Sequence, residues 1–160
     1  MSTTENDAVI ETSGTHAITI VRDFDHPVAL VFRAMTEPDL IAQWIGPKYL
    51  TNVEVTHDAR HGGTWTLVQR DPDGNEHAFR GVMHGEQTPE LSQRTFEWLG
   101  LPGHVSFETL RLEDLGGGRT RAHQVAVFTS PQDRDGMLAS GMATGVNEGF
   151  ERMDDLLRSL

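Results

Sequence analysis

Three polar side chains fall in phase with bulky apolar neighbours, and they are the groups through which this chain would do chemistry. On a strand over 64–70, Trp65, Leu67 and Gln69 share one face; over 76–86, His77, Phe79, Gly81 and Met83 do; over 91–99, Arg94, Phe96 and Trp98 do. The faces rich in large apolar groups turn toward whatever covers the sheet, so Gln69, His77 and Arg94 are carried inward with them. A guanidinium in an apolar recess would orient a carboxylate or phenolate. An imidazole there would serve as acid or base.

Other chemistries lack their residues. With no Cys, thiolate metal sites, disulfides and Cys nucleophiles are excluded. His57 and His61 flank Asp58 at the i, i+4 spacing that binds zinc on a helix, but here the spacing lies on a strand end running into Gly62-Gly63, so no metal site is expected. There is no GxSxG elbow, Walker loop or helix-opening GxGxxG, and Gly116 to Gly118 reads as a hairpin tip. Glu97 and Glu108 alternate with or flank the inward aromatics and are expected on a solvated outer ladder. Along the C-terminal segment, Glu148 with Arg152 and Asp154 with Arg158 read as i, i+4 surface pairs.

The elements that position these groups follow from turn signals and periodicity. A strand over 15–24 (THAITIVRDF) is followed by two short helices carrying Val28, Val31, Phe32 and Met35, then Leu40, Ile41 and Trp44. Gly46-Pro47 ends that pair. Strands over 49–57, 64–70, 76–86, 91–99, 104–113 and 119–129 are separated by Gly/Pro-rich turns, which predicts an antiparallel meander. In 104–113, Val105 and Phe107 are out of phase with Leu110 and Leu112, which predicts a bulge near Thr109. In 119–129 alternation alone does not choose between Ala122, Gln124, Ala126, Phe128 and the opposite set. Ser130-Pro131 then opens one long amphipathic helix running to the C-terminus.

That helix contains Gly141, Gly145 and Gly149, four residues apart, on or beside the stripe of Leu138, Met142, Met153, Leu156 and Leu160. Each glycine costs about 1 kcal/mol against Ala in a helix interior. Glycines on a buried face leave either close backbone approach or unfilled space, and both place a gap between helix and sheet.

Bulk properties bound the partners. The 160 residues suit one domain over 15–160 after a flexible tail over 1–14. A formal charge of −11, with the 13 Lys and Arg scattered, argues against nucleic acid and anionic lipid as partners. No stretch approaches the roughly 20 apolar residues of a membrane span. Without Cys or an N-terminal apolar run, the expected location is cytoplasmic.

The order of elements resembles the helix-grip fold (α+β) of START-like and Bet v 1-like proteins of the SRPBCC superfamily. The segments VFRAMTEPDLIAQWIGP (31–47), HGGTW (61–65), DPDG (71–74), RGVM (80–83), GGGRT (116–120) and GMATGVNEGFERMDDLL (141–157) resemble bacterial homologues of the Hsp90 ATPase activator. The resemblance implies a curved antiparallel sheet wrapped around the C-terminal helix, enclosing apolar ligands, and it places Gln124 and Phe128 inward. Two positions depart from the family pattern: Ile45 stands where a second Trp usually follows Trp44, and Gly85-Glu86 replaces an acid-then-apolar pair.

The expected site is thus a cavity walled by Trp44, Trp65, Phe79, Met83, Phe96, Trp98, Phe107, Phe128 and Met142, floored by Gly145 and Gly149, with Gln69, His77, Arg94 and Gln124 as its polar members. The expected function is binding of a small apolar or aromatic molecule without cofactor or metal. Two alternatives use other chemistry: a cyclase or hydrolase with His77 as acid/base, and an interaction module whose partner is a chaperone ATPase. An exposed sheet edge would allow a homodimer.

Overall fold

Strands that alternate apolar with polar residues and end in tight turns pair with their sequence neighbours. This produces most of the sheet in the computed structural model, which describes residues 6–160. Strands β1 (Val9–Ser13) and β2 (Ala17–Phe24) form a hairpin, followed by helices α1 (Val28–Thr36) and α2 (Pro38–Ile41). Strands β3 (Thr51–His57), β4 (Thr64–Arg70), β5 (Glu76–His84), β6 (Ser92–Trp98), β7 (Val105–Gly116) and β8 (Arg119–Val127) make the meander, and helices α3 (Pro131–Ala139) and α4 (Met142–Ser159) close the chain. The sheet order is β1-β2-β8-β7-β6-β5-β4-β3, antiparallel throughout.

Three sequence expectations are corrected. Part of the expected tail over 1–14 is the edge strand β1, in register from Val9↔Val21 to Ser13↔Ala17; residues 1–5 lie outside the described residues. Only Ile10 of that strand is half-buried, so ladder hydrogen bonds hold it and no hydrophobic pattern announces it. Second, the terminal helix is two helices. Ser140 caps α3 and Gly141 adopts φ 84°, a left-handed conformation that ends one helix before the next begins. A 100° periodicity runs through such a break without registering it. Third, β7 carries no bulge near Thr109: its pairing with β8 is regular from Phe107 to Asp114.

The C-terminal half of α4 supplies the main core. Phe150, Met153, Leu156 and Leu157 pack with Phe24, Val31, Ala34, Trp44, Leu112 and Ala122. Each large side chain buried this way contributes about 1.5–3 kcal/mol. Leu160, expected on the buried stripe, is exposed. A smaller cluster of Trp65, Leu67 and Met83 lies at the other end of the sheet.

The buried Arg22 of β2 links helix to sheet. Its two terminal nitrogens each donate to a carboxylate oxygen of Asp154 at 2.7 Å, and its guanidinium lies 4.7 Å from the Phe24 ring centroid and 5.7 Å from that of Phe150. The expected surface pairs are therefore replaced: Asp154 serves Arg22, Arg158 turns to Asp155, and Glu148 accepts from the Lys48 backbone N–H at 2.9 Å.

Where the N-terminal half of α4 meets the loop after α2, two glycines permit close approach. A Cβ on Gly149 would sit 3.2 Å from Trp44 O and 3.3 Å from Gly46 N, whereas one on Gly145 would meet Cδ of Pro47 at 3.3 Å. Gly149→Ala is expected to destabilise by roughly 1–2 kcal/mol, because backbone yields less than the gain in helix propensity offsets. Gly145→Ala is expected to be near neutral, which urea melts of both variants will check. In the same assay Asp154→Ala, which strands a buried guanidinium, should cost about 3 kcal/mol, and the apolar double replacement Arg22→Met with Asp154→Leu should recover most of it.

Candidate functional site

Two adjoining chambers lie on the concave face of the sheet, the larger beneath the N-terminal half of α4 and the smaller beneath α1, α2 and the segment that follows α2. The larger, of about 310 Å³, is walled by Ile18, Leu67, Phe79, Phe96 and Phe128 from the sheet and by Met137, Met142 and Val146 from the helices. The smaller, of about 140 Å³, reaches toward Met35, Ile41, His57, Ser92 and Leu110. They meet at Ile20, Trp44, Ile45, Arg94, Glu108, Gln124 and Ala126.

Strand phase explains this lining. Cross-strand partners share a face, so Arg94↔Glu108↔Ala126 and Leu110↔Gln124↔Ile20 both run across the concave side. Gln124 and Phe128 accordingly line the cavity. The same registers turn Phe107 outward, contrary to expectation, where it meets the His84 ring at 5.9 Å, and turn Glu108 inward. At this end of β7 the concave positions are Ser106 and Glu108, so hydrophobicity is reversed relative to facing. A cavity that needs polar groups produces that reversal, and alternation rules read it as a bulge.

Arg94 is the centre of the polar wall. Its Nε donates to Glu108 Oε1 at 2.9 Å, and its guanidinium carbon stands 4.0 Å from the centroid of the Trp65 ring. Trp65 is itself fixed from behind: its indole N–H donates to Thr95 O at 2.9 Å, and Val82 N–H donates to Thr95 Oγ1 at 2.9 Å. These two bonds bridge a gap in the β5–β6 ladder between Arg80↔Glu97 and Met83↔Arg94. Gly81 makes the gap possible, since a Cβ there would collide with Thr95 O and the indole nitrogen. Trp65 and Met83, expected as cavity walls, instead pack beneath the wall that Arg94 presents.

Gln69 lines the larger chamber, but its amide is committed to the loop that closes it. Its Nε2 donates to Asn52 Oδ1 at 2.9 Å, while Asn52 Nδ2 donates to Ala42 O and Ile45 O at 3.0 Å each. This network seats Ile45 and Trp44 over the cavity. Trp44 is further set by its N–H bond to Ala34 O at 2.8 Å and by stacking on Phe150. Of the two departures from the family pattern, Ile45 thus touches both chambers, whereas Gly85 sits in a turn and donates its N–H to His61 Nδ1.

His77 and Trp98 lie outside the cavity. His77 Nε2 is 3.1 Å from Asp71 Oδ2 at the β4–β5 turn, and Trp98, at the end of β6, is exposed with its ring against Gly100. Both have the inward phase, but the cavity ends before the sheet does. An acid/base role for His77 in this cavity therefore has no geometric basis.

The imidazole that does reach the cavity is His57, whose side chain from the end of β3 lines the smaller chamber while His61 is bound elsewhere. Its Nδ1 is buried without a hydrogen-bond partner among the described residues. Burial foremost, with the nearby positive charge of Arg94, lowers its pKa to about 4, so the ring is neutral at neutral pH. Asp58 beside it is held down to about 2, chiefly by its hydrogen bonds from Arg60. The metal-like spacing of His57 and His61 carries no such role; the sequence marks His57 instead by its phase opposite Trp65 in the β3–β4 register. Among the described residues no three His, Asp or Glu side chains converge as a metal site.

A curved sheet gripping a C-terminal helix, with an apolar cavity between them, defines a helix-grip protein of the START/Bet v 1-like class in the SRPBCC superfamily. Within that class the chain belongs to the family described as Activator of Hsp90 ATPase homolog 1-like protein, whose sequence profile matches residues 25–158. Solved structures share the fold at low identity. A crystal structure of a Rhodobacter sphaeroides protein superposes with a TM-score of 0.90 at 22% identity, covering 97% of this chain and 100% of that one. One from Nitrosomonas europaea gives 0.82 at 24% identity over 92% and 97% of the two chains. The AHSA1 protein from Silicibacter pomeroyi gives 0.70 at 18% identity over 89% and 98%. No curated protein matches. No helix of the described residues is long and apolar enough to cross a membrane.

The neutral His57 has a measurable consequence. Its folded pKa lies below the ordinary 6.5, so the unfolded chain binds the extra proton, and the stability tied to the neutral ring is complete above about pH 6.5 and lost as pH falls toward 4. Urea melts across that window should show wild type losing on the order of 2–3 kcal/mol relative to His57→Phe. Equal slopes for the two proteins would contradict this assignment.

Proposed function

We propose that this protein binds a small, mostly apolar molecule in the cavity between sheet and α4. One observation supports this above the rest: a chamber of about 310 Å³ walled mainly by aromatic and aliphatic side chains carries a few polar ones, among them Arg94, Glu108 and Gln124. Ligand sites typically pair such an apolar volume with a few convergent polar groups. The core is well filled elsewhere by Phe150, Met153 and their neighbours, so the empty volume is local. The polar residues that would orient a ligand are Arg94, Glu108, Gln124 and His57.

Binding is the reading that requires nothing further of these residues. Arg94, expected to meet an anionic ligand, already has Glu108 as its counter-charge, which favours a ligand without net charge.

Native mass spectrometry of gently purified protein, before and after organic extraction, tests the reading; a removable adduct of a few hundred daltons is the expected result. Ala126→Phe, which fills the junction of the chambers, should reduce the adduct at least about tenfold while the fold, monitored by circular dichroism, is retained.

A further inference from the structure

The smaller chamber shares the polar wall of Arg94, Glu108 and Gln124 with the larger one and differs from it by an imidazole. It adds His57, a neutral imidazole with a buried, unpartnered Nδ1, to the Arg94–Glu108 pair and the Gln124 amide, while Gln87 and Ser92, which also line it, already donate to backbone carbonyls. The pair is internally compensated, and Glu108 uses one carboxylate oxygen on Arg94. What remains on offer is both acceptor and donor: a carboxylate oxygen that only accepts, guanidinium nitrogens that only donate, an amide that does both, and an imidazole nitrogen whose role depends on its tautomer. A neutral group that both donates and accepts suits such a wall. A carboxylate or ketone oxygen only accepts, and an ammonium only donates. A hydroxyl does both, and it can pair with His57 in either tautomer.

We propose that the smaller chamber recognises a hydroxyl group, alcoholic or phenolic, on a ligand whose apolar body occupies the larger chamber. The inference rests on reading the cavity as a ligand site and adds the class of ligand. The arrangement has a physical rationale, since polar groups facing an apolar ligand body carry a desolvation penalty that a ligand hydroxyl relieves and an apolar group does not. The Trp65 ring, 4.0 Å from the guanidinium carbon of Arg94, helps hold that side chain in the wall.

The test compares naphthalene, naphthol and naphthoate, titrated into the protein by calorimetry at neutral pH. Naphthol is expected to bind about tenfold more tightly than naphthalene, the worth of one well-placed neutral hydrogen bond, and more tightly than naphthoate. His57→Phe should abolish the preference of naphthol over naphthalene, and His57→Gln should restore part of it. If His57→Phe does not fold, nitrogen NMR of the wild-type His57 ring decides: Nδ1 should shift with naphthol and not with naphthalene. Equal binding of naphthol and naphthalene overturns the hydroxyl assignment while leaving the cavity as a ligand site. Tightest binding of naphthoate overturns it in favour of Arg94 as an anion anchor. Failure of all three to bind overturns the cavity reading itself and the assignment with it.

Discussion

The forked pair between Arg22 and Asp154 sets where the C-terminal helix lies on the sheet, and the rest of the site follows from that placement. Arg22 is almost wholly buried and its guanidinium is bracketed by Phe24 and Phe150, so its charge is compensated by the helix carboxylate. An isolated buried guanidinium would be very costly, which makes the registration of α4 on β2 specific rather than merely adhesive. With one end of α4 pinned over the core, the other projects over the concave face beyond the point where its side chains can fill the space. The cavity is the unfilled space beneath that end of the helix, continued beneath α1 and α2.

Its other boundary is a loop under similarly tight control. Asn52 and Gln69 tie Ile45 and Trp44 to β3 and β4, and Gly149 lets the helix backbone approach that loop closely. The glycines anticipated as a gap are thus contact points at its rim, with the empty volume beside them. Close approach and unfilled space, alternatives from sequence, occur here next to each other.

The family assignment and the site's chemistry rest on different residues. Fold neighbours superpose at TM-scores of 0.90 and 0.82 with 22% and 24% identity, so many sequences satisfy the same arrangement of strands and helices. That likeness speaks for the fold, not for a ligand. What the cavity offers a ligand depends on this chain's own His57, Arg94, Glu108 and Ile45, all of which line it.

Local chemistry is what the sequence determined by itself. Turn residues and alternation placed the meander strands within a few residues, Ser130-Pro131 marked the start of α3, and phase carried Arg94, Phe96 and Phe79 inward. Tertiary structure decided what depends on partners distant in the chain. The strand β1 exists because β2 offers it a ladder, Asp154 turns to Arg22 across 132 residues, and Glu108 faces inward because Arg94 stands opposite it. Trp98 and His77 share the inward phase, yet the cavity ends short of them, since periodicity gives a side chain's direction and not what covers it. For His57, periodicity could show only which way the ring pointed. Its burial, its neutrality and its unpartnered nitrogen arise because α2, β6 and β7 close around it, and only a folded chain assembles those neighbours.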